Sequence, residues 1–171
     1  MSKETIVHVI TNFAGVGGAE MMLSRLIQQT QNECDHVIIS LMKTSAVYTE
    51  TLALCRSHYA LNWNGLNTVS VILQLKKLLQ KLAPKTIQCW MYHANVLATL
   101  STLGMQPKPN VFWGIHHSLA STKEESISTK VALVFSKMLS NKPKGIIYCA
   151  HSALVQHQKF GLENANSHVI A

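Results

Sequence analysis

The sequence predicts an α/β domain: a doubly wound, mainly parallel sheet with helices on both faces. Three observations carry this. Short runs rich in Val and Ile alternate with longer stretches whose apolar residues recur at helical spacing, and such alternation closes into a parallel sheet. Several of the short runs are apolar on both faces, as strands between two helical layers are. At 171 residues, 47% of them apolar and 13% charged, the chain suits a single domain of ordinary size with a real core and is too apolar to be disordered.

The elements follow in order. TIVHVIT (5–11) is a first strand, and a glycine loop then opens a helix to about Gln29. HVIISLM (36–42) is a second strand, and HYALNW (58–63) a weaker third. NTVSVILQLKKLLQKL (67–82) has helical periodicity and stops before Pro84, where proline cannot continue a helix. Strand KTIQCWM (85–91) precedes a helix across ANVLATLSTLG (94–104), and strand NVFWGIH (110–116) leaves a proline-rich turn. ESISTKVALVFSKMLS (125–140) is an amphipathic helix, KGIIYCA (144–150) a strand, SALVQHQKF (152–160) a short helix and SHVIA (167–171) the start of a last strand. There is no internal repeat or linker. The abrupt stop on HVIA, without turn or polar tail, leads us to expect a truncated piece of a longer chain.

Fifteen Lys and Arg against eight Asp and Glu give a formal charge of +7, which favours anionic partners without naming one. Cys34, Cys55, Cys89 and Cys149 contain no C-x-x-C pair and read as free thiols in a reducing compartment. MSKETIVHVIT lacks the pattern of a secretory leader, and no run approaches the ~18 apolar residues of a membrane span. The expectation is a soluble, cytoplasmic protein.

FAGVGGAEMMLSRL (13–26) crowds three of the eight glycines into four positions just where a helix begins. A strand, glycines and a helix start place outward-pointing amides and partial positive charge where an anion can bind, and glycine lets the backbone approach without a Cβ. The specific versions of the motif fail. A P-loop needs a lysine that does not follow Gly18, and the sixth place of a dinucleotide fingerprint counted from Gly15 is Glu20. A tight turn without ligand stays open as the alternative.

GVGGAEMMLSRL resembles the Gly-Gly-x-Glu loop and first helix of the retaining glycosyltransferases of family 4. IQCWMYHANVLATL (87–100) is similar to that family's strand, loop and helix carrying a histidine. VFWGIHHSL (111–119) is similar to its next strand, which ends on a histidine, and GIIYCAHSALVQHQKFG (145–161) to its strand, serine and helix ending in glycine. SHVIA resembles the start of its V-I-x-N-G-I-D segment. Four motifs in register cover nearly the whole chain. The resemblance implies one Rossmann-like N-terminal, acceptor-side domain spanning 1–171, one half of a two-domain GT-B fold, with the C-terminal donor-binding domain absent from this chain. It implies transfer of a sugar from a nucleotide-sugar donor to a hydroxyl acceptor, a glycan or lipid-linked glycan, with retention and without a bound metal or other cofactor. The piece alone is then expected to be inactive.

Ligands of open α/β sheets bind outside the carboxyl ends of the strands. The glycine loop (Gly17, Gly18) and His116 lie at such ends, with His93 just past one, so all three are expected at one crevice. The resemblance aligns His116 with the family's active-site histidine. His117 competes for that alignment, though adjacent strand residues point to opposite faces. Ser152 reads either as a helix N-cap or as a residue near the interdomain crevice. Trp90 and Trp113 read as core, with sugar stacking by Trp90 the lesser alternative. Nine histidines invite a metal hypothesis, but no spacing suits chelation and none is expected.

Ile127, Val131, Val134, Phe135 and Met138 form one helical stripe, with Lys123, Lys130, Lys137 and Lys142 mainly elsewhere around the helix. The simpler reading packs that stripe on the sheet. The other has a basic face, joined by Lys76, Lys77, Lys81 and Lys85, touching an anionic membrane from its cytoplasmic side. Lipid-linked acceptors, common in the resembled family, would suit it. Two rival function classes remain: a non-catalytic Rossmann-like binding or regulatory module, and a nucleic-acid binder. The latter has the charge but none of the motifs, so no nucleic acid is expected.

Overall fold

The computed structural model describes residues 3–119 and 125–170. Seven strands, β1 (Glu4–Ile10), β2 (Cys34–Ser40), β3 (Ser57–Ala60), β4 (Thr86–Trp90), β5 (Asn110–Ile115), β6 (Gly145–Tyr148) and β7 (Ser167–Val169), form one sheet. The order is β3-β2-β1-β4-β5-β6-β7 and every pairing is parallel. The helices are α1 (Gly18–Thr30), α2 (Thr49–Ala53), α3 (Thr68–Leu82), α4 (Tyr92–Thr102), α5 (Ile127–Leu139) and α6 (His151–Phe160). This is the Rossmann-like doubly wound fold that the alternation predicts.

Period-two strands distribute their side chains between two unequal cores. Val7, Val9, Val37, Ile39, Ile87 and Trp113 pack with residues of α3 to α6. Ile10, Ile38 and Trp90 face the other way, against Ala19, Leu23 and Ile27 of α1. Those three α1 residues recur at i, i+4 and i+8, one stripe of a helix, and burying Leu23 and Ile27 contributes about 1.5–3 kcal/mol each. Helix α3 ends as expected. Ala83 adopts a left-handed conformation (φ 44°) with its N–H on Leu79 O, and Pro84 follows.

Two readings change. Strand β3 is only four residues long, and the stretch before it, which no periodicity marked, holds a short 3-10 turn (Ala46–Tyr48) and α2. Helix α5 is turned the opposite way to the simpler expectation. Ala132, Leu133 and Ser136 are its buried residues, whereas Ile127, Val131, Val134, Phe135 and Met138 are exposed. The small Ala132 and Ser136 allow close approach to α4, so the bulkier stripe is left outside. Lys123 lies outside the described residues. Among the described residues no helix is long and apolar enough to cross a membrane.

Candidate functional site

The chain reverses its winding direction between β1 and β4, which are neighbours although far apart in sequence. Connections diverge there and open a crevice at the carboxyl ends of the strands. A cavity of about 280 Å³ occupies that place, lined among others by Thr11, Gly18, Glu20, Met91, His116 and His117.

The glycine loop forms one wall. Gly17, in extended conformation, is the N-cap of α1 and offers no side-chain cap. The first α1 amide to reach a helical acceptor is Met21 N–H, on Gly17 O at 3.0 Å, and the amides ahead of it are the ones a helix leaves without intrahelical partners. A Cβ on Gly17 would meet Glu20 Oε2 at 2.5 Å, so glycine is needed for the Glu20 carboxylate to fold back over the loop. A Cβ on Gly18 would meet nothing within 4 Å. The loop is fastened from the segment after β2: Tyr48 O–H donates to Gly15 O (2.9 Å), Ser45 O–H to Ala14 O (3.2 Å), and Phe13 stacks on Tyr48 with centroids 4.1 Å apart. Sequence reasoning missed Ser45 and Tyr48, since nothing in their local pattern signals a partner some thirty residues away.

The opposite wall is built on β4 and β5. His116 is half-buried and stacks on Trp90, centroids 4.9 Å apart and planes 15° from parallel. Its backbone N–H points at Met91 Sδ, 3.4 Å away. Gly114 makes room for this, because a Cβ there would meet Cys89 O at 2.9 Å and His116 Nε2 at 3.1 Å. Met91 has φ 71° and ψ 168°, a region that costs a non-glycine residue about 1–3 kcal/mol and recurs at functional sites. Burial lowers the His116 pKa below its ordinary value, so the ring is neutral at pH 7 and keeps one donor and one acceptor.

Behind Trp90 runs a hydrogen-bond chain whose direction its first donor settles. Indole N–H can only donate, and Trp90 Nε1 donates to His8 Nδ1 (3.3 Å). His8 Nε2–H therefore donates to His36 Nδ1 (3.0 Å), His36 Nε2–H to Thr30 Oγ1 (3.0 Å), and the Thr30 hydroxyl to Leu26 O (2.6 Å). Both rings must be neutral. Burial, and secondarily His36, lowers His8 to about 3, and burial also lowers His36. The chain holds the indole that His116 lies on. Trp90 is 3% exposed with His116 over its ring, which leaves no free face for a stacked sugar. Trp113 is core, as read, with its N–H on Thr99 Oγ1 at 2.9 Å. A histidine inside an otherwise apolar strand is the signal that could have marked His8 and His36, because a buried polar group needs a partner.

The other expected residues lie apart from this cavity. His93 does not face it. Its ring sits 5.1 Å from Trp63, its Nε2 is 2.8 Å from Ser128 Oγ, and it lines a separate groove between α3, α4 and α5. The first turn of α4 simply rotates His93 to the far side of the sheet. Ser152 is exposed in the first turn of α6, whose N-cap is Ala150, so it is not a cap. His117, on the cavity rim, pairs with Glu125 at 2.9 Å. Among the described residues no group of three His, Cys, Asp or Glu side chains could hold a metal ion.

Comparison with known proteins supplies the frame. The chain matches the model described as Glycosyltransferase Family 4 over residues 16–171. No curated protein matches it by sequence. Among solved structures, Anabaena Alr3699/HepE in complex with UDP and glucose superimposes with a TM-score of 0.74 at 14% identity, covering 98% of this chain and 44% of that one. UDP-N-acetylglucosamine 2-epimerase of Rickettsia bellii gives 0.66 at 11% identity, covering 98% and 44%. At such identities the likeness is one of fold, and the chain spans less than half the length of either structure. The match from residue 16 to residue 171 shows that the chain belongs to Glycosyltransferase Family 4, as an N-terminal domain of the GT-B type.

Proposed function

We propose that this domain is the acceptor-side half of a retaining glycosyltransferase that works in the cytoplasm. In this reading the enzyme moves a sugar from a nucleotide-sugar donor to a hydroxyl of a glycan or lipid-linked glycan, and needs no resident metal. A C-terminal half supplies most of the donor contacts, so this domain alone does not turn over. One observation carries the reading: the cavity at the β1–β4 switch point faces the amide-rich start of α1 towards the neutral imidazole of His116. Amides at a helix start suit a phosphate or a sugar oxygen. A neutral histidine can donate one hydrogen bond to a hydroxyl and accept another. Glu20 adds a carboxylate acceptor at the same wall. The Anabaena protein's complex with UDP and glucose supports a nucleotide-sugar donor. Gly17, Gly18 and His116 carry the assignment. Ser152 is proposed only as a contact from the same sheet edge, and His93 has no part in this cavity.

Gly18→Val in the two-domain enzyme tests it. The added side chain projects into open cavity space, so the fold should survive while turnover falls sharply. Near-normal turnover in a folded Gly18→Val enzyme would end the assignment of this loop. Proton NMR of the first-formed product tests retention separately, since an inverted anomer excludes it without touching the site.

A further inference from the structure

A second recess lies at the opposite end of the strands from the candidate site, where β5 and β6 begin. Its volume is about 390 Å³, and it runs between the end of α4 (Thr99, Thr102) and the two loops that lead into β5 and β6. Lys108 lines it from the first loop, Lys142 and Lys144 from the second, and none of the lining residues is Asp or Glu. Among the described residues none of these three ammonium groups enters an ion pair. Both loops are stiff. Lys108 stands between Pro107 and Pro109, and Pro143 between Lys142 and Lys144, and proline fixes its own φ at about −65°. Lys144 N–H donates to Val111 O (2.7 Å) and Lys142 N–H to Leu139 O (2.9 Å). Asn164 Nδ2 donates to Ser140 O (2.8 Å) and Pro143 O (3.1 Å), and Asn166 Nδ2 to Lys144 O (2.9 Å). The backbone that carries the lysines is therefore set before any ligand arrives, which reduces the ordering cost of binding.

A helix C-terminus turns carbonyls outward and repels an anion, but the last carbonyls of α4 are occupied. Thr102 O–H donates to Thr99 O (2.9 Å), Leu103 N–H to Leu100 O (3.3 Å), Met105 N–H to Thr102 O (3.2 Å) and the Lys76 ammonium to Leu103 O (2.9 Å). Lys76 thus adds a positive charge behind the one wall that would oppose an anion. Like charges around one recess repel each other, and a bound anion relieves that repulsion. A phosphate group brings about 1.5–2 negative charges, so three lysines match linked phosphates rather than a single one. Lysine meets phosphate as a point charge. The buried Met105, Pro109 and Val111 leave an apolar wall for whatever group carries the phosphates, and the volume falls in the range of about 300–1,000 Å³ of small-molecule sites. We propose that this recess binds a soluble anion with two or more linked phosphates, at a site separate from the one at the β1–β4 switch point.

Calorimetric titration of the chain with inorganic pyrophosphate, beside phosphate and sulfate, tests it. One pyrophosphate should bind per chain, more tightly than either comparison anion and more weakly as salt rises, and it should raise the thermal midpoint. Lys108→Gln/Lys144→Gln changes one exposed lysine from each loop, so circular dichroism should stay unchanged while affinity falls about tenfold or more. Lys77→Gln/Lys159→Gln removes the same charge from exposed positions that do not line the recess, and should weaken binding about twofold at most. Absence of binding, phosphate or sulfate held as tightly, affinity kept in the first double variant, or an equal loss in the second each overturns the proposal. So does attachment to phosphatidylglycerol vesicles without affinity for soluble pyrophosphate.

Discussion

His116 and His117 are neighbours in sequence with different surroundings. His116 lies over Trp90, neutral and half-buried, whereas His117 is exposed and engaged with Glu125. If His116 donates a hydrogen bond where charge develops, His116→Ala should lower turnover of the two-domain enzyme by roughly 10²–10³. His117→Ala should change it little. Thermal stability measured beside turnover separates chemistry from folding; loss of activity confined to folded His117→Ala would shift the functional histidine by one residue. The strand-end position of His116 was legible because parallel strands present ligand residues at their carboxyl ends. The support beneath it was not, since Met91, Gly114 and the Trp90–His8–His36 chain come from separate strands, and no local pattern states which strands are adjacent. Met91 gives a direct check. Glycine is normally less stable than alanine by about 0.5–1 kcal/mol, but at a positive φ the order should invert. Met91→Gly should therefore exceed Met91→Ala in urea-unfolding free energy by about 1 kcal/mol. Alanine equal or better would mean that the backbone here is not held in that conformation.

At the scale of elements, periodicity located all seven strands, the third at shifted bounds, and all the long helices, because apolar spacing is a local property. The 3-10 turn and α2 escaped because their positions are set by tertiary contacts to the glycine loop, such as Tyr48 O–H on Gly15 O. Helix α5 was recognised but its buried side was not, since Ala132 and Leu133 form a second, smaller apolar face and pattern alone favours the bulkier one. What joins elements is likewise non-local. His157 on α6 donates from Nδ1 to Ala153 O (2.7 Å), so Nε2 must accept from Tyr92 O–H on α4 (2.6 Å). Both side chains are buried, which makes this bond a clamp between the two helices. Tyr92→Phe leaves the imidazole nitrogen without its donor and should cost about 1–3 kcal/mol. Urea unfolding measures it; a change under about 0.5 kcal/mol, the range of a neutral surface substitution, would show that the clamp contributes nothing.

The whole molecule depends on histidines in a way that its +7 formal charge does not suggest. His8, His36, His93, His116 and His157 all have pKa values lowered, in each case first by burial. Folded protein keeps these rings neutral, while the unfolded chain protonates them near pH 6.5. Their stabilisation is thus fully present above about pH 6.5 and is lost as pH falls through that value towards each folded pKa. For His8, whose folded value is about 3, the loss continues across the whole interval down to that value. Each ring that stays neutral contributes a slope of about 1.4 kcal/mol per pH unit below about pH 6. Protonating His8 or His36 also removes an acceptor from the chain behind Trp90, so the candidate site should loosen together with the fold. Urea titrations at pH 7, 6 and 5 should show stability falling with a steepening slope. His8→Gln keeps one donor and one acceptor but cannot titrate, and its slope should be shallower by about 1.4 kcal/mol per pH unit. A flat profile between pH 7 and 5, or an unchanged slope in His8→Gln, would mean that the buried rings take up protons without unfolding the domain.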